Sequence, residues 1–190
     1  MKEVLGAGHI RTTFAKENLA RVSYLIGDKD LLDQALILME EVITARKATM
    51  GKEAAWTLMA MGNMSAVLGT LGHVQKAELV MMDVLPIAER GIGTDHIGVL
   101  FGRQILATML IQQKRYDRAE EILIDVIDRQ SYMFSRTDKF HPDRIVSMIE
   151  LARCYQLKEK LKDSINICGK VLTGLEKASN HKHPFIEILI

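Results

Sequence analysis

The chain has 190 residues, 48% of them hydrophobic and 5% aromatic, and its formal net charge is +1. This length can bury a sizeable core, while the balanced charge provides no overall field that would attract nucleic acid or an anionic membrane. No apolar run approaches the roughly 20 residues of a membrane-spanning helix, and Met1-Lys2-Glu3 opens no signal peptide, so we expect a soluble cytoplasmic domain without nucleic-acid or membrane partners.

The sequence contains one segment four times, followed by a partial fifth copy. The copies align on His9, Ala54, His96, His141 and His183, at intervals of 45, 42, 45 and 42 residues. A turn-type residue stands three positions before each of these, at Gly6, Gly51, Gly93, Asp138 and Asn180. A nearly fixed period of this size indicates a solenoid, because each unit is too small to bury its apolar face alone and stacks on its neighbours. The predicted repeats are 6–50, 51–92, 93–137 and 138–179, with a partial fifth at 180–190. We expect a single domain over 1–190 that is part of a longer array.

Within each repeat the pattern predicts two helices joined by a turn. The first helix of repeat one should place four apolar side chains on one broad face, namely Phe14, Leu19, Val22 and Ile26. The turn is predicted 18 residues after the aligned position, at Gly27, Gly72, Lys114 and Glu159. The second helix then carries a small residue, at Ala35, Ala77, Ala119 and Ser164, and apolar residues 3, 4, 7 and 8 positions later. These offsets trace one buried stripe, and the small residue lets the two helices approach closely.

Three local features depart from the plain period. Repeat one has three extra residues within 27–34 and repeat three has three within 131–137. We place both insertions in loops, which tolerate them better than helices do. Pro142 and Pro184 each follow an aligned histidine and should occupy a first helical turn, where the missing N–H costs nothing. Pro86 falls inside a predicted helix, where it should kink the helix or remove the bond to the carbonyl of Met82.

This pattern resembles the tetratricopeptide repeat. The family's opening is Gly-x-x-His-Pro, of which Gly6 with His9 and Gly93 with His96 keep the glycine and the histidine, while His141-Pro142 and His183-Pro184 keep the final pair. The resemblance also rests on the motifs Asn18-Leu19-Ala20 and Asn63-Met64-Ser65, and on the glycine and alanine around the turn. The period of about 42 residues and the histidine–proline opening are similar to the kinesin light chain subtype. The resemblance implies an all-α fold, a right-handed superhelical solenoid of antiparallel helix pairs with four pairs plus a C-terminal stub. It also implies that the first helices line a concave groove.

Peptide ligands of this family lie in that groove, held by asparagine and charged side chains. By position in the repeat, the resemblance assigns to the groove Phe14, Glu17, Asn18, Arg21, Met59, Asn63, Phe101, Gln104, Thr108, Glu150 and Arg153. Asn18 and Asn63 each offer a donor and an acceptor to a peptide backbone, or else satisfy backbone groups of a neighbouring helix. Arg21 and Arg153 suit ligand carboxylates. Gly62, Ala66, Ile105, Val146 and Ile149 occupy the remaining groove positions of the four repeats. Because the whole set is charge-balanced, half apolar and without a lysine cluster, we expect a hydrophobic or mixed peptide, or a partner helix.

The other reactive residue types have simpler explanations. The aligned histidines should fix each loop against the next helix. A metal site at His181 and His183 is not expected, because no carboxylate or cysteine lies nearby in sequence. Cys154 and Cys168 should be small, reduced core residues. No phosphate-loop, nucleophile-elbow or zinc-helix motif is present. We therefore expect no cofactor, no metal and no enzyme activity.

Two functional hypotheses follow. The first is a non-catalytic protein-interaction scaffold that binds a peptide or partner helix in the groove. The second is a regulatory sensor or autoinhibitory repeat arm of a larger signalling NTPase. In addition, the repeats start at Gly6 without a polar capping helix and the sequence ends on the apolar stretch 185–190. These uncapped termini are candidates for end-to-end self-association.

Overall fold

Every regular element of the described chain is an α-helix. A computed structural model describes residue 6, residues 9–134 and residues 141–180. The helices are α1 (Ile10–Ile26), α2 (Lys29–Met50), α3 (Ala55–Thr70), α4 (Val74–Ile92), α5 (Ile97–Gln112), α6 (Tyr116–Phe134), α7 (Pro142–Leu157) and α8 (Leu161–Asn180). They form four consecutive pairs that coincide with the four predicted repeats. The predicted turn at Asp138 and the stub that follows Asn180, including His181, His183 and Pro184, lie outside the described residues.

The chain divides into two compact units, Met1–Gly102 and Arg103–Ile190, and each is described by itself. Unit 1 contains pairs one and two and the beginning of α5. Unit 2 contains the rest of α5, together with α6 and pair four. In both units helices pack against elements near to them in sequence, as α1 does on α2 and as α7 does on α6 and α8.

The turn inside each repeat is the predicted one. Its central residue has a positive φ in all four repeats, with values of 74° at Gly27, 83° at Gly72, 61° at Lys114 and 58° at Glu159. In the last three, that residue's N–H bonds the carbonyl three positions earlier, and the next N–H bonds the carbonyl five positions earlier. This pair of bonds is the Schellman arrangement that ends a helix at a left-handed residue. The alignment therefore identifies structurally equivalent positions even where lysine or glutamate replaces glycine.

Small residues form the contact between the two helices of a pair. Ala35, Ala77 and Ala119 are fully buried, as predicted. In pair two the Ser65 hydroxyl on α3 donates to the carbonyl of Ala77 at 2.7 Å. In pair four the donor is on the second helix instead of the first, since the Ser164 hydroxyl on α8 donates to a carbonyl of α7 at 2.9 Å. A larger side chain at these positions would hold the helix backbones apart.

Successive pairs pack through the predicted stripe of the second helix. In unit 1, Met39 on α2 is buried in one cluster with Val67 of α3, and Val42 and Ile43 are buried with Ala60 of α3. In unit 2, Leu123 on α6 is buried with Leu151 and Cys154 of α7. The last pair departs from the pattern, because Cys168 and Leu172 on α8 are exposed. The prediction that Cys168 is a core residue is therefore wrong, whereas Cys154 is buried.

The extra residues of repeat one lie in a helix and not in a loop. Helix α2 has 22 residues, against 19 for each of α4 and α6. It begins at Lys29, directly after the turn, and its N-cap is Asp28, whose carboxylate accepts from the N–H groups of Asp30 and Leu31. This N-cap starts the helix early, so the insertion adds almost one turn at the N-terminal end of α2. The register of the stripe that follows is unchanged.

The three extra residues of repeat three are only partly described, since α6 continues to Phe134 and residues 135–140 lie outside the described residues. The two described prolines behave differently. Pro142 occupies the first turn of α7, as predicted. Helix α4 runs through Pro86 without interruption, and Pro86 lies on the exposed side of that helix.

The buried face of α1 differs from the predicted one. The sequence places Phe14, Leu19, Val22 and Ile26 on one broad apolar face, the side that a helix usually buries. In the structure the last three are exposed and Phe14 is half-buried. The residues that α1 buries are Thr12, Thr13, Glu17, Ala20 and Ser23. This is the side that faces α2 and α3, the helices that α1 contacts. No helix precedes α1 among the described residues, so its apolar side has no cover there.

Candidate functional site

A buried ion pair underlies the predicted binding surface in unit 1. The Arg46 guanidinium on α2 is 1% exposed and donates through Nη2 to Oε2 of Glu17 on α1 at 2.6 Å. Its Nη1 donates to the carbonyl oxygen of Trp56 at 2.8 Å. The guanidinium carbon also lies 5.3 Å from the centroid of the Phe14 ring and 5.9 Å from that of the Trp56 ring. The charge is thus balanced by a carboxylate and by two aromatic faces.

The same carboxylate fixes a predicted ligand-binding amide. Asn63 on α3 donates from Nδ2 to Oε1 of Glu17 at 2.9 Å. An ionised carboxylate only accepts hydrogen bonds, so the amide must turn its NH₂ group toward Glu17 and keep its carbonyl oxygen on the other side. Of the two roles proposed for Asn63, bonding to a backbone group of a neighbouring helix is not what the structure shows.

The remaining candidates of unit 1 are more exposed. Asn18 and Arg21 are exposed on α1 and make no hydrogen bond or ion pair within the described part of the chain. Met59 and Phe101 are each 42% exposed, at the position in their repeats that Phe14 has in repeat one. Phe14 itself is half-buried and meets Trp56 edge-on, with ring centroids 5.0 Å apart. Unit 1 thus combines a fixed amide with accessible apolar side chains.

In unit 2 the candidates bond mainly to one another. Gln104 is buried and accepts from the Ser147 hydroxyl at 3.3 Å, and the Thr108 hydroxyl donates to the Gln104 carbonyl at 3.2 Å. The Arg153 guanidinium donates to Oε2 of Glu150 at 3.4 Å, three residues earlier on α7. Arg153 therefore already has a carboxylate partner, and Gln104 is not accessible at the surface.

Arg46 and Trp56 were not among the residues predicted for this site. The signal for Arg46 was present, because it lies 11 positions after Ala35 and so continues the buried stripe of offsets 0, 3, 4, 7 and 8 by another step. A charged residue at a buried stripe position needs a partner of opposite charge, and Glu17 supplies it. Which acidic residue would do so cannot be read from helical periodicity alone.

The three aligned histidines that lie in the described part of the chain cap the helices that follow them. The Nδ1 atoms of His9 and His96 each accept from the N–H two residues later at 3.1 Å, and His141 does the same at 3.3 Å. The His141 ring also stacks on Phe134, with centroids 3.9 Å apart. Ala54, at the same position of repeat two, gives α3 no side-chain cap. The histidines thus join each loop to the helix that follows it.

An ionic cluster in unit 2 connects α6 with the turn after α7. The Lys158 ammonium donates to Asp117 and to Glu120, both at 2.5 Å, and Lys160 donates to Glu120 at 3.0 Å. The hydrogen bond from Lys158 lowers the pKa of Asp117. Burial opposes ionisation of Glu120, but the bonds from the two lysines outweigh it and lower its pKa as well. The bonds to both carboxylates raise the pKa of Lys158, and burial raises the pKa of the neighbouring Cys154 thiol.

These arrangements are suited to binding and to stability. In the part of the chain that the structure describes, no three histidine, cysteine or acidic side chains come together as metal ligands. None of the described helices has the combination of length and apolar sequence needed to cross a bilayer. The titratable groups with shifted pKa values belong to the ionic cluster and its immediate neighbours.

Comparison with known proteins supports the resemblance seen in the sequence. The tetratricopeptide repeat model matches residues 57–98 and 105–131. A Podosopora anserina protein described by its nearly identical kinesin light chain TPR-like repeats is 19% identical, over 88% of this chain and 96% of that chain, with a TM-score of 0.57. A single-residue variant of that protein matches 87% of this chain and 95% of its own, with the same identity and TM-score.

A third solved structure, BtubC (BKLC) from P. vanneervenii, has a TM-score of 0.71 at 16% identity. It matches over 91% of this chain and 66% of its own length. A search of curated proteins finds no match. The resemblance predicted from sequence is confirmed: two stretches match the tetratricopeptide repeat model, and the described helices have the all-α, paired-helix fold of kinesin light chain-like repeat structures.

Proposed function

We propose that this chain is a protein-interaction scaffold whose unit 1 binds an extended peptide with apolar side chains. Trp56, Met59 and Asn63 follow one another at spacings of three and four along α3, so they share one side of that helix. Trp56 is 44% exposed and Met59 42% exposed, while Asn63 is half-buried. The exposed apolar side chains of Trp56 and Met59, beside the fixed amide of Asn63, suit a peptide backbone with one or two apolar side chains.

The single observation that carries this proposal is the bond between Asn63 and Glu17. Since Nδ2 is already bonded to the carboxylate, the amide offers Oδ1, an acceptor. A ligand donor can bond to this oxygen, and the N–H of an extended peptide is the donor that any sequence can provide. An amide held in place before binding also loses less side-chain entropy when the ligand arrives.

Charge decides which peptides are favoured. Arg46 is buried and paired, so it offers no positive charge to a ligand. On α1, Arg21 is exposed three residues after the exposed Asn18 and can pair with one ligand carboxylate. We infer that a mixed peptide, apolar with a single acidic side chain, fits this surface better than a strongly acidic one. In unit 2, Arg153 is a weaker candidate because Glu150 already accepts from it.

The proposal extends to the setting of the protein. We infer a non-catalytic scaffold that works in the cytoplasm. The free thiols of Cys154 and Cys168 agree with a reducing compartment.

The test begins with a library of random linear peptides selected on the folded chain, followed by calorimetry on the enriched sequences. We expect apolar side chains to be enriched. Replacing Asn63 by alanine should weaken binding by about 0.5–1.5 kcal/mol, the net value of one hydrogen bond, and Met59→Glu should weaken it further. Leu79→Glu is the control, because Leu79 is an exposed apolar side chain on α4, at 63% against 42% for Met59.

N-methylation of the peptide amides, one at a time, tests the acceptor role of Asn63. One methylated amide should weaken binding to the unchanged chain and have no effect on the Asn63→Ala variant, since both changes remove the same bond. If Asn63→Ala leaves the affinity of every enriched peptide unchanged while circular dichroism shows intact helices, the site is wrong. If no peptide is enriched, this surface does not bind extended peptides.

A further inference from the structure

Among the described residues, two exposed apolar surfaces outside the binding surface lie at recurring positions of the repeat. The first, here the α1 surface, consists of Leu19, Val22 and Ile26, which are 57%, 50% and 61% exposed. The second, here the α8 surface, consists of Ile165, Cys168 and Leu172. Each set is spaced by three or four residues and so lies along one side of its helix. Both correspond to positions that are covered elsewhere in the protein.

The boundary between pairs one and two shows what covers them. There, Leu36, Met39 and Ile43 on α2 pack with Met64, Val67 and Leu71 on α3 in adjoining clusters. Counted from the aligned positions, the three α3 residues are equivalent to Leu19, Val22 and Ile26. Counted from the small residue of the second helix, the three α2 residues are equivalent to Ile165, Cys168 and Leu172. The α1 and α8 surfaces are therefore the two halves of one repeat boundary.

The boundary between pairs three and four uses the same positions with one difference. Leu123 is buried against Leu151 and Cys154, which are equivalent to Met39, Met64 and Val67. At the outer position, however, Glu120 and Lys158 form an ion pair at 2.5 Å, where the first boundary has Leu36 and Leu71. At this position, a boundary between repeats therefore pairs either two apolar side chains or an acidic side chain with a basic one. On the exposed surfaces the two corresponding residues are Ile165 and Ile26, which match each other.

We propose that the α8 surface of one chain packs on the α1 surface of a second copy of this chain, continuing the repeat boundary between molecules. The proposal is independent of peptide binding in unit 1, which uses other side chains. A second copy is the occupant that supplies both missing halves at once, with apolar partners at all three positions. Burying them would remove a contiguous apolar strip from water on each surface, which favours association. Because the two surfaces differ, the contact is heterologous and leads to rings or to open chains of molecules.

The test uses two variants that each disable one surface. Val22→Glu places a charge on the α1 surface and Leu172→Glu places one on the α8 surface. Both positions are exposed in the single chain, so folding should be unaffected, whereas a charge buried without a partner should weaken association about 100-fold or more. In sedimentation equilibrium we expect the unchanged chain to gain mass with concentration, and each variant alone to keep the mass of one chain.

Mixing the two variants provides the decisive measurement. The Val22→Glu chain keeps an intact α8 surface and the Leu172→Glu chain keeps an intact α1 surface, so one of each should form a dimer that grows no further. Leu79→Glu, which lies on neither surface, should associate like the unchanged chain. The proposal is overturned if the unchanged chain stays monomeric at every concentration. It is also overturned if Val22→Glu alone still associates, because that would mean like surfaces pair.

Discussion

A pair of equivalent positions carries matched side chains in every repeat. The position of Glu17 in the first helix and that of Arg46 in the second are occupied by acid and base in repeat one. The same two positions hold two small residues in repeat two (Gly62, Ala88), two amides in repeat three (Gln104, Gln130) and two aliphatic residues in repeat four (Ile149, Leu175). The chemistry of one position therefore follows that of the other, as expected of side chains that meet between paired helices.

Removing one member of the charged pair should be costly, and removing both should not. Arg46→Leu leaves the Glu17 carboxylate, which is 5% exposed, without its cation and should destabilise the fold by about 3–5 kcal/mol. The double variant Glu17→Ile with Arg46→Leu installs the pair of repeat four and should recover most of that loss. Urea unfolding of the two single variants and the double variant measures the coupling. Additive losses would show that the two side chains do not stabilise each other.

The burial of Glu17 also shows where prediction at the residue scale ends. The resemblance assigned Asn63 and Met59 of the proposed surface from their positions in the repeat, but it did not assign Trp56. The role of Glu17 did not, because its partners Arg46 and Asn63 lie 29 and 46 residues away. Likewise, periodicity located an apolar side of α1 but not which side is buried, since that depends on the helices that pack on it. The contacts between side chains of different helices could therefore not be predicted from the sequence.

At the scale of elements, a glycine in a turn and a glycine inside a helix show whether glycine is needed for its backbone conformation or for its small size. Gly72 has a φ of +83°, and a methyl group placed on it would meet nothing within 4 Å. Gly62, inside α3, would also meet nothing within 4 Å but has helical backbone angles. The two glycines therefore differ in conformation and not in available space.

Alanine should have opposite effects at these two glycines. Gly72→Ala should destabilise the protein by about 1 kcal/mol, because an L-residue is strained in the left-handed region. Gly62→Ala should stabilise it by up to about 1 kcal/mol, because alanine loses less backbone entropy in a helix. Thermal unfolding of both variants measures the difference. A loss at Gly62 equal to that at Gly72 would mean that crowding, and not backbone conformation, governs these positions.

The ionic cluster between α6 and the turn after α7 makes unit 2 sensitive to acid. The pKa values of Asp117 and Glu120 are lower in the folded chain than their ordinary values, so the unfolded chain binds protons first as the pH falls. Their contribution is complete above about pH 5 and is lost as the pH falls through the folded pKa values. The raised pKa of Lys158 adds a contribution that is lost only in strong alkali.

Lys158→Met should therefore flatten the acid limb of the stability curve. Without the ammonium, Asp117 loses the bond that lowers its pKa and Glu120 keeps only the bonds from Lys160, so less stability depends on the ionisation of the two carboxylates. Urea unfolding at several pH values between neutrality and about pH 3 gives the slope for each variant. Lys170→Met is a suitable control, because Lys170 is exposed and outside the cluster. Equal slopes in all three proteins would contradict the role assigned to the cluster.

At the scale of the whole molecule, the sequence predicted the four helix pairs, their turns and the stripe that packs successive pairs. It did so because those features recur, and recurrence separates a structural requirement from chance. The features it missed occur in one repeat each. They include the longer α2, which a local N-cap at Asp28 produces, the exposed side of α1, and the exposed Cys168 of α8. A feature present in one repeat has no second copy against which to be recognised.

Local packing predicts a gradient of stability along the chain. In the described helices, contacts join elements that are close in sequence, so the stability of a repeat is mainly the sum of its own pairing and its contacts with adjacent repeats. Helix α3 packs against α2 on one side and α4 on the other, whereas α1 and α8 each leave an apolar strip exposed. Hydrogen exchange on a dilute sample should therefore be faster in α1 and α8 than in α3 and α6.

The same measurement links this gradient to self-association. Raising the protein concentration should slow exchange in α1 and α8 and leave α3 and α6 unchanged, because only the terminal helices gain a partner in the proposed contact. The Val22→Glu chain should lose this dependence in both terminal helices, since its intact α8 surface then meets no functional α1 surface. Equal exchange rates along the whole chain in the dilute sample would contradict stability built from neighbouring repeats, and would indicate that the helices unfold together as one cooperative body.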